Sequence, residues 1–337
     1  MSGIRIQDLT AEPGQIVYGS LKLDNVPIPI ILICGKSSGE TLVIQCAQHD
    51  TEFSGSAMIG PLLTKLDPET IRGQIIILPL CNIPSILRDR MPDAYAEQYA
   101  EIEALKGTDG HNINRTWPGK QDGTFLERLA YMLSNEVFAN ASAILDYHSC
   151  RICDPNFTGF LEGHTKSREL ALAFGITTID EATETSAPGQ CHIEVPKSLD
   201  IPTILIEAAP TSRTIQWSTI QLTEKGALNV MKHLDMIDGT PELPATQIVF
   251  HRKARNHSFI ASKKGFLARY CGEAEIVNKG DLIAEVRSLK DFTVLESFVA
   301  PCDGGAVSAC GPVTSCLILP GEDAAHLQEE VEVIQNP

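Results

Sequence analysis

Four apolar segments of this chain run directly into polar, chemistry-bearing residues, and that recurrence limits the folds open to it. TLVIQCA (41–47) leads into His49 and Glu52, and QIIILPLCN (74–82) ends on Asn82. ASAILDYHSC (141–150) carries His148 at its carboxyl end, and IPTILIEAAP (201–210) carries Glu207. Between them lie stretches of helical spacing: GSAMIGPLLTKL (55–66), FLERLAYMLSNEVF (125–138), a segment near 166–174, and EKGALNVMKHL (224–234). Thr124 and Glu127 form a capping box at the start of the second of these. Strands alternating with helices at this interval predict an α/β domain, a mixed or mostly parallel central sheet flanked by helices. In open sheets of that kind, ligands bind beyond the carboxyl ends of the strands, which is where these polar residues fall. VPIPIILIC (26–34) precedes the first of these segments across the turn GKSSGE, a spacing that predicts a hairpin or an adjacent strand pair.

Around DMIDGTPELPATQ (235–247) the pattern changes to a proline-bearing linker. Short alternating stretches follow (QIVFHRKA, GFLARYC, DLIAEVR, FTVLESF, GAVSACG, SCLIL), and they predict a small all-β module. The expected division is a catalytic α/β domain over 1–240 and a β-barrel-like domain over 241–337. VNKGDLIAEV and APCDGGAV resemble hairpins of lipoyl-carrier barrels, but no lysine flanked by methionines accompanies them, so the resemblance extends to the scaffold alone.

Composition narrows the partners. The 337 residues have a formal net charge of −16, which argues against binding nucleic acid or an anionic membrane. No apolar run is long enough to span a bilayer, and the amino terminus lacks a signal-peptide pattern. Ten cysteines in such a chain predict reduced thiols and a cytoplasmic protein. Cys34, Cys46, Cys81 and Cys316 lie in apolar strands as small hydrophobes, and Cys150 and Cys153 form a lone C-x-x-C. Homo-oligomerisation is left open.

His49 and Glu52 are three residues apart, within reach of one metal ion on a single turn. Catalytic zinc commonly takes two histidines and a carboxylate and keeps a fourth position open. His148 is the third candidate, with Asp146 on the same strand face as a group that could orient it. Such a pair alone is a weak signal, because nine histidines in a chain of this length will sometimes lie near a glutamate. Glu207 at a strand end is either paired structurally or kept for proton transfer, and in DGHNINRTWPG the residues Asn112, Asn114 and Arg115 either suit carboxylate recognition or belong to a polar surface loop with an N-cap. Arg88 and Arg90 raise the question of carbonyl polarisation.

Taken in order and spacing, HDTE followed by SG, LPLCNIP, NINRTWPG, DYHS and TILIEAA resemble the succinylglutamate desuccinylase/aspartoacylase family of zinc carboxypeptidase-like hydrolases. The resemblance implies one zinc per chain held by His49, Glu52 and His148, with Glu207 as general base. It implies that Asn114 and Arg115 grip a substrate carboxylate, and that Arg90 rather than Arg88 stabilises the oxyanion. This chain departs from the family pattern at Asp50, at Asn112-Ile113, at Ala208-Ala209 and in an insertion over 91–109. The implied activity is hydrolysis of the amide bond in a small N-acyl amino acid. Two other readings are a carboxypeptidase-like amidase on small peptides and a non-catalytic binding protein of the same fold.

Overall fold

The computed structural model describes residues 2–90, 112–149, 156–208, 215–254, 256–272, 274–309 and 316–337. A small antiparallel pair, β1 (Ile4–Ile6) and β2 (Leu9–Ala11), precedes two long strands, β3 (Gln15–Leu23) and β4 (Val26–Cys34). Then come β5 (Ser37–Cys46), α1 (Ser54–Leu63), β6 (Arg72–Leu78), α2 (Ile83–Arg90) and α3 (Phe125–Met132). The alternation continues through β7 (Ala143–His148), β8 (Phe157–Leu161), α4 (Thr165–Phe174), β9 (Thr178–Ala182), α5 (Cys191–Leu199) and β10 (Thr203–Glu207). Helix α6 (Trp217–His233) and strand β11 (Thr246–His251) complete this part.

These strands build a ten-stranded mixed sheet of order β20-β11-β9-β8-β10-β7-β5-β6-β4-β3, in which β20 (Val331–Gln335) comes from the far end of the chain. The centre of the sheet, β10-β7-β5-β6, is parallel. Residues of a strand alternate faces, and two cores result. On one face Val43, Ile76 and Ile144 pack with Phe125 and Leu129 of α3 and Cys191 and Val195 of α5. On the other, Ile44, Leu145 and Tyr147 pack with Met58 of α1, Phe174 of α4 and Val230 of α6.

Between β11 and β20 the chain makes two four-stranded antiparallel sheets. One has β12 (Asn256–Ile260), β14 (Ile276–Val277), β17 (Gly305–Ala309) and β19 (Asp323–Gln328). The other has β13 (Gly265–Arg269), β15 (Leu282–Arg287), β16 (Val294–Val299) and β18 (Leu317–Ile318). Their shared core includes Leu267, Ile283, Val286, Val307 and Leu327. The architecture is therefore the expected one, a mixed sheet flanked by helices with a C-terminal all-β region.

Several local expectations differ from the structure. β4 and β5 are not neighbours, because β6 lies between them, antiparallel to β4 and parallel to β5. The glycines of the GKSSGE turn serve this crossing: the Gly35 N–H donates to the Gly73 carbonyl at 2.9 Å, and Gly73 has φ +88°. A Cβ on Gly73 would lie 2.0 Å from the Glu40 carbonyl oxygen, so the strands can approach only without one. The capping box forms as expected, with the Glu127 N–H donating to Thr124 Oγ1 and the Thr124 N–H to Glu127 Oε2. The α-helix it opens ends at Met132, however, and continues as a π turn over Leu133–Val137. The strand expected at QIVFHRKA forms as β11 but joins the large sheet, parallel to β9. Cys316 is exposed rather than buried, beside the two-residue strand β18, whereas Cys34, Cys46 and Cys81 are buried. Cys150 and Cys153 lie outside the described residues.

Candidate metal and active site

Strand β5 delivers its first polar residues through a backbone reversal. Ala47, directly after the strand, adopts φ +55°, an unfavourable conformation for a residue with a side chain. After it, Gln48 reaches the buried Asp146, while at the end of β7 His148 meets His49 and Glu52. Helix α1 starts two residues later, and Gly55 lets it lie directly on the sheet: a Cβ there would be 2.4 Å from Tyr147 Cβ and 2.7 Å from Cys46 Sγ. The helix has no side-chain cap of its own. The neighbouring strand supplies one, because the Ser54 N–H donates to Ser149 Oγ at 3.3 Å. Ser54 Oγ donates to the His148 carbonyl at 3.0 Å, and the Ser149 N–H to Glu52 Oε2 at 3.2 Å. The HDTE turn is thereby fixed to the end of β7.

That arrangement brings His49, Glu52 and His148 together. Glu52 Oε1 is 3.0 Å from His49 Nδ1, and Glu52 Oε2 is 2.8 Å from His148 Nδ1. The two Nδ1 atoms are 3.3 Å apart. The outer ring nitrogens face acceptors. His49 Nε2 is 2.9 Å from Asn112 Oδ1, whose orientation is set by the Asn114 N–H donating to the same oxygen at 3.0 Å. His148 Nε2 is 3.1 Å from Asp146 Oδ2. His148 Nε2 also lies 3.3 Å from Gln48 Nε2 and 3.5 Å from Asn114 Nδ2. Carbonyl and carboxylate oxygens only accept, so in the tautomer where the outer nitrogens donate to Asn112 and Asp146, both Nδ1 lone pairs point inward at the Glu52 carboxylate. Two lone pairs and an anion facing one another require a cation or an added proton between them.

The electrostatics describe the second case, an added proton, with the histidines donating to Glu52. Burial alone would push Glu52 up, but hydrogen bonds to His148 and His49 and their charges outweigh it and hold the carboxyl far below its ordinary range. Burial opposes charging of His148, yet the Asp146 charge, the hydrogen bonds to Asp146 and Glu52, and the Glu52 charge raise it well above the usual histidine value. Asp146 is fully buried and is nevertheless held low. The His148 charge, with hydrogen bonds from His148, Gln45 and Gln48, outweighs its burial.

Gln48 is the residue that the sequence did not single out. Its Nε2 donates to Asp146 Oδ1 at 2.6 Å, and its Oε1 accepts from Trp117 Nε1 at 3.0 Å. Its carbonyl accepts from Asn82 Nδ2 at 2.9 Å. Gln48 is wholly buried, so its polar atoms must find partners, a role the sequence itself does not signal. Asn114 is buried too: its Oδ1 accepts from the Cys191 N–H at 2.9 Å, tying the loop to the start of α5. Arg115 is exposed, and its Nη1 donates to the Asn114 carbonyl at 2.5 Å. Glu207 ends β10 in register with His148 on parallel β7, so the two side chains leave the sheet on the same face. Arg88 and Arg90 lie on the last turn of α2, and their side chains, like the insertion 91–109, are outside the described residues.

The donor set fits a zinc-like ion. Two imidazole nitrogens and a carboxylate lie within 4.8 Å of one another. Ligand–metal bonds of about 2.0–2.2 Å in a tetrahedral arrangement put donors roughly 3.4 Å apart, so the observed edges need open by only a few tenths of an ångström. Each histidine has a hydrogen-bonded outer nitrogen, the support that metal-ligating histidines ordinarily receive.

Known proteins are similar to this chain in sequence and fold. The succinylglutamate desuccinylase/aspartoacylase catalytic-domain profile matches residues 38–234, more than half of the chain. The N-alpha-acetyl-L-2,4-diaminobutyric acid deacetylase of Halomonas elongata is 23% identical over 286 residues, covering 82% of this chain and 78% of that protein. Among solved structures, a succinylglutamate desuccinylase/aspartoacylase from Rhodobacter sphaeroides is similar at 23% identity, with a TM-score of 0.69 over 97% of this chain and 99% of that one. The apo ectoine utilization protein EutE (DoeB) from Ruegeria pomeroyi is similar at 21% identity, with a TM-score of 0.70 over 98% and 99%. These structures share the fold, and the profile match covers the HDTE turn, the Asn114-Arg115 loop, His148 and Glu207. The chain belongs to the succinylglutamate desuccinylase/aspartoacylase family.

Proposed function

We propose that this protein is a zinc-dependent deacylase that hydrolyses the amide bond of an N-acyl amino acid or a similar small N-acyl amine. The observation that carries the reading is the inward-facing set of His49 Nδ1, His148 Nδ1 and Glu52, with Glu207 in register on the adjacent strand. Family membership and the deacetylase named among the relatives support the reaction class.

His49, Glu52 and His148 would hold one zinc per chain. When bound, the ion supplies Lewis-acid polarisation of the acyl carbonyl and of water. Glu207 accepts a proton from the attacking water and returns it to the departing amine nitrogen as the C–N bond breaks. The products are a carboxylate and a free amine, so atoms and protons balance without a further reactant. Arg115 presents its guanidinium to the carboxylate of the amino-acid portion, on a loop that Asn114 anchors to α5. Asn112 orients His49, and Asp146 with Gln48 orients His148. Arg90 is assigned to the oxyanion. The protein works in the cytoplasm, a reading consistent with Cys46, Cys81 and Cys191, whose thiols burial keeps protonated.

Metal analysis and turnover of two variants test this. Glu207→Gln is expected to keep its metal and lose hydrolysis, while His148→Ala loses hydrolysis and the metal equivalent held at this site. Undiminished turnover by Glu207→Gln removes it as base, and unchanged metal content in His148→Ala removes the ligand assignment.

A further inference from the structure

A second group of metal-type donors lies in the all-β region, apart from the centre just described. His257 stands on β12, Cys302 on the connection between β16 and β17, and Glu329 on the turn between β19 and β20. One ligand atom from each lies within 4.8 Å of the others. We propose that these three side chains form a second binding site for a zinc-type transition metal, with a further coordination position left for water.

The geometry favours a metal over an ordinary polar contact. His257 Nε2 is 3.7 Å from Glu329 Oε2, too long for a hydrogen bond. That nitrogen is nevertheless buried and has no hydrogen-bond partner. A separation of this size is close to the roughly 3.4 Å edge of a tetrahedral zinc site, so little movement is needed. Cys302 Sγ is turned inward towards the end of β19, where Gly305 leaves it room: a Cβ on Gly305 would be 3.0 Å from the sulfur and 2.9 Å from Leu327 Cδ2. Thiolate, imidazole and carboxylate together suit zinc or cobalt, whereas magnesium and calcium prefer all-oxygen shells.

The position suggests what the ion does. The chain leaves the large sheet after His251 in β11 and re-enters it at Val331 in β20. Gln328 already bridges this junction: its Oε1 accepts from the His251 N–H at 2.7 Å, and its Nε2 donates to the His251 carbonyl at 2.7 Å. His257 and Glu329 flank the same two crossings, and Cys302 adds a third segment. An ion there ties the base of the all-β region together.

Cobalt titration of the full-length protein, stripped beforehand with chelator, tests the proposal, because cobalt–thiolate ligation gives a near-ultraviolet charge-transfer band that an all-nitrogen-and-oxygen site cannot. The wild type is expected to develop this band and to bind two equivalents, one at each site. Cys302→Ser should abolish the band and lose one equivalent while keeping the visible absorption of cobalt at His49, Glu52 and His148. Glu329→Gln should keep the band but require at least about tenfold more cobalt to reach it. Absence of the band from the wild type, or its persistence undiminished in Cys302→Ser, overturns the proposal whatever the first site binds.

Discussion

At the scale of single residues, the candidate site is a set of tautomers fixed from behind. Asn112 and Asp146 accept at the outer nitrogens of His49 and His148, which leaves the inner nitrogens facing Glu52. Gln48 holds Asp146 in turn and is itself held by Trp117 and Asn82. Gln48→Leu is therefore expected to weaken zinc affinity by about 10–100-fold while leaving the three ligands in place, a loss that competitive titration with a chelating dye would measure. Arg115→Ala is expected to raise KM for carboxylate-bearing substrates with a much smaller change in kcat, because it removes binding that ground and transition states share. A KM equal to that of the wild type would remove Arg115 from substrate binding. His49, Glu52, His148 and Glu207 were legible in the sequence because each is a polar residue at the end of an apolar run. Gln48 was not, since a glutamine gains meaning only from the partners that folding brings to it. The tautomeric logic was equally invisible, because Asn112 reaches His49 across 63 positions of the chain.

At the scale of elements, close backbone approach decides what pattern alone does not. The apolar runs 26–34 and 41–47 were readable as strands, but their pairing was not, because the β6 segment that separates them comes later in the sequence. Gly73 makes the insertion of β6 sterically feasible. Gly73→Ala should destabilise the fold by roughly 3 kcal/mol and lower Tm by several degrees in calorimetry, and an unchanged Tm would refute the close-approach argument. Helix α5 escaped notice as well, since Pro196 lies inside CHIEVPKSL and blurs its period. It carries a buried histidine, His192, whose pKa burial lowers to about 3, with the nearby positive charges of His148 and Arg252 assisting and Asp146 opposing. The folded value lies below the ordinary 6.5, so the unfolded chain takes up the proton first as pH falls. Stability should therefore decline from about pH 6.5 towards pH 3, and His192→Gln should show a shallower decline in denaturant midpoint across that window. Parallel pH profiles for the two proteins would exclude this role.

At the scale of the whole molecule, one ten-stranded sheet organises both the site and the C-terminal region. Its parallel centre places the ends of β5, β7 and β10 side by side, and those ends carry His49, Glu52, His148 and Glu207. The class of the fold and the all-β character of the tail followed from alternation and turn spacing. The return of β20 to pair with β11 did not, because pairing between strands some eighty residues apart leaves no local signature. Among the described residues no helix is long and apolar enough to cross a membrane. If His49, Glu52 and His148 hold zinc as proposed, stripping it should lower Tm of the whole protein, because such a site exists only in the folded state. The central claim, that this site runs metal-dependent amide hydrolysis, is tested most directly by free-amine release from a panel of acetyl-, succinyl- and longer-chain N-acyl amino acids. Chelator-stripped protein and the same sample reconstituted with zinc should differ, with turnover of at least one substrate in the zinc form and none in the stripped form. Equal turnover in both forms, or no amine released from any member of the panel by the zinc form, would contradict the account.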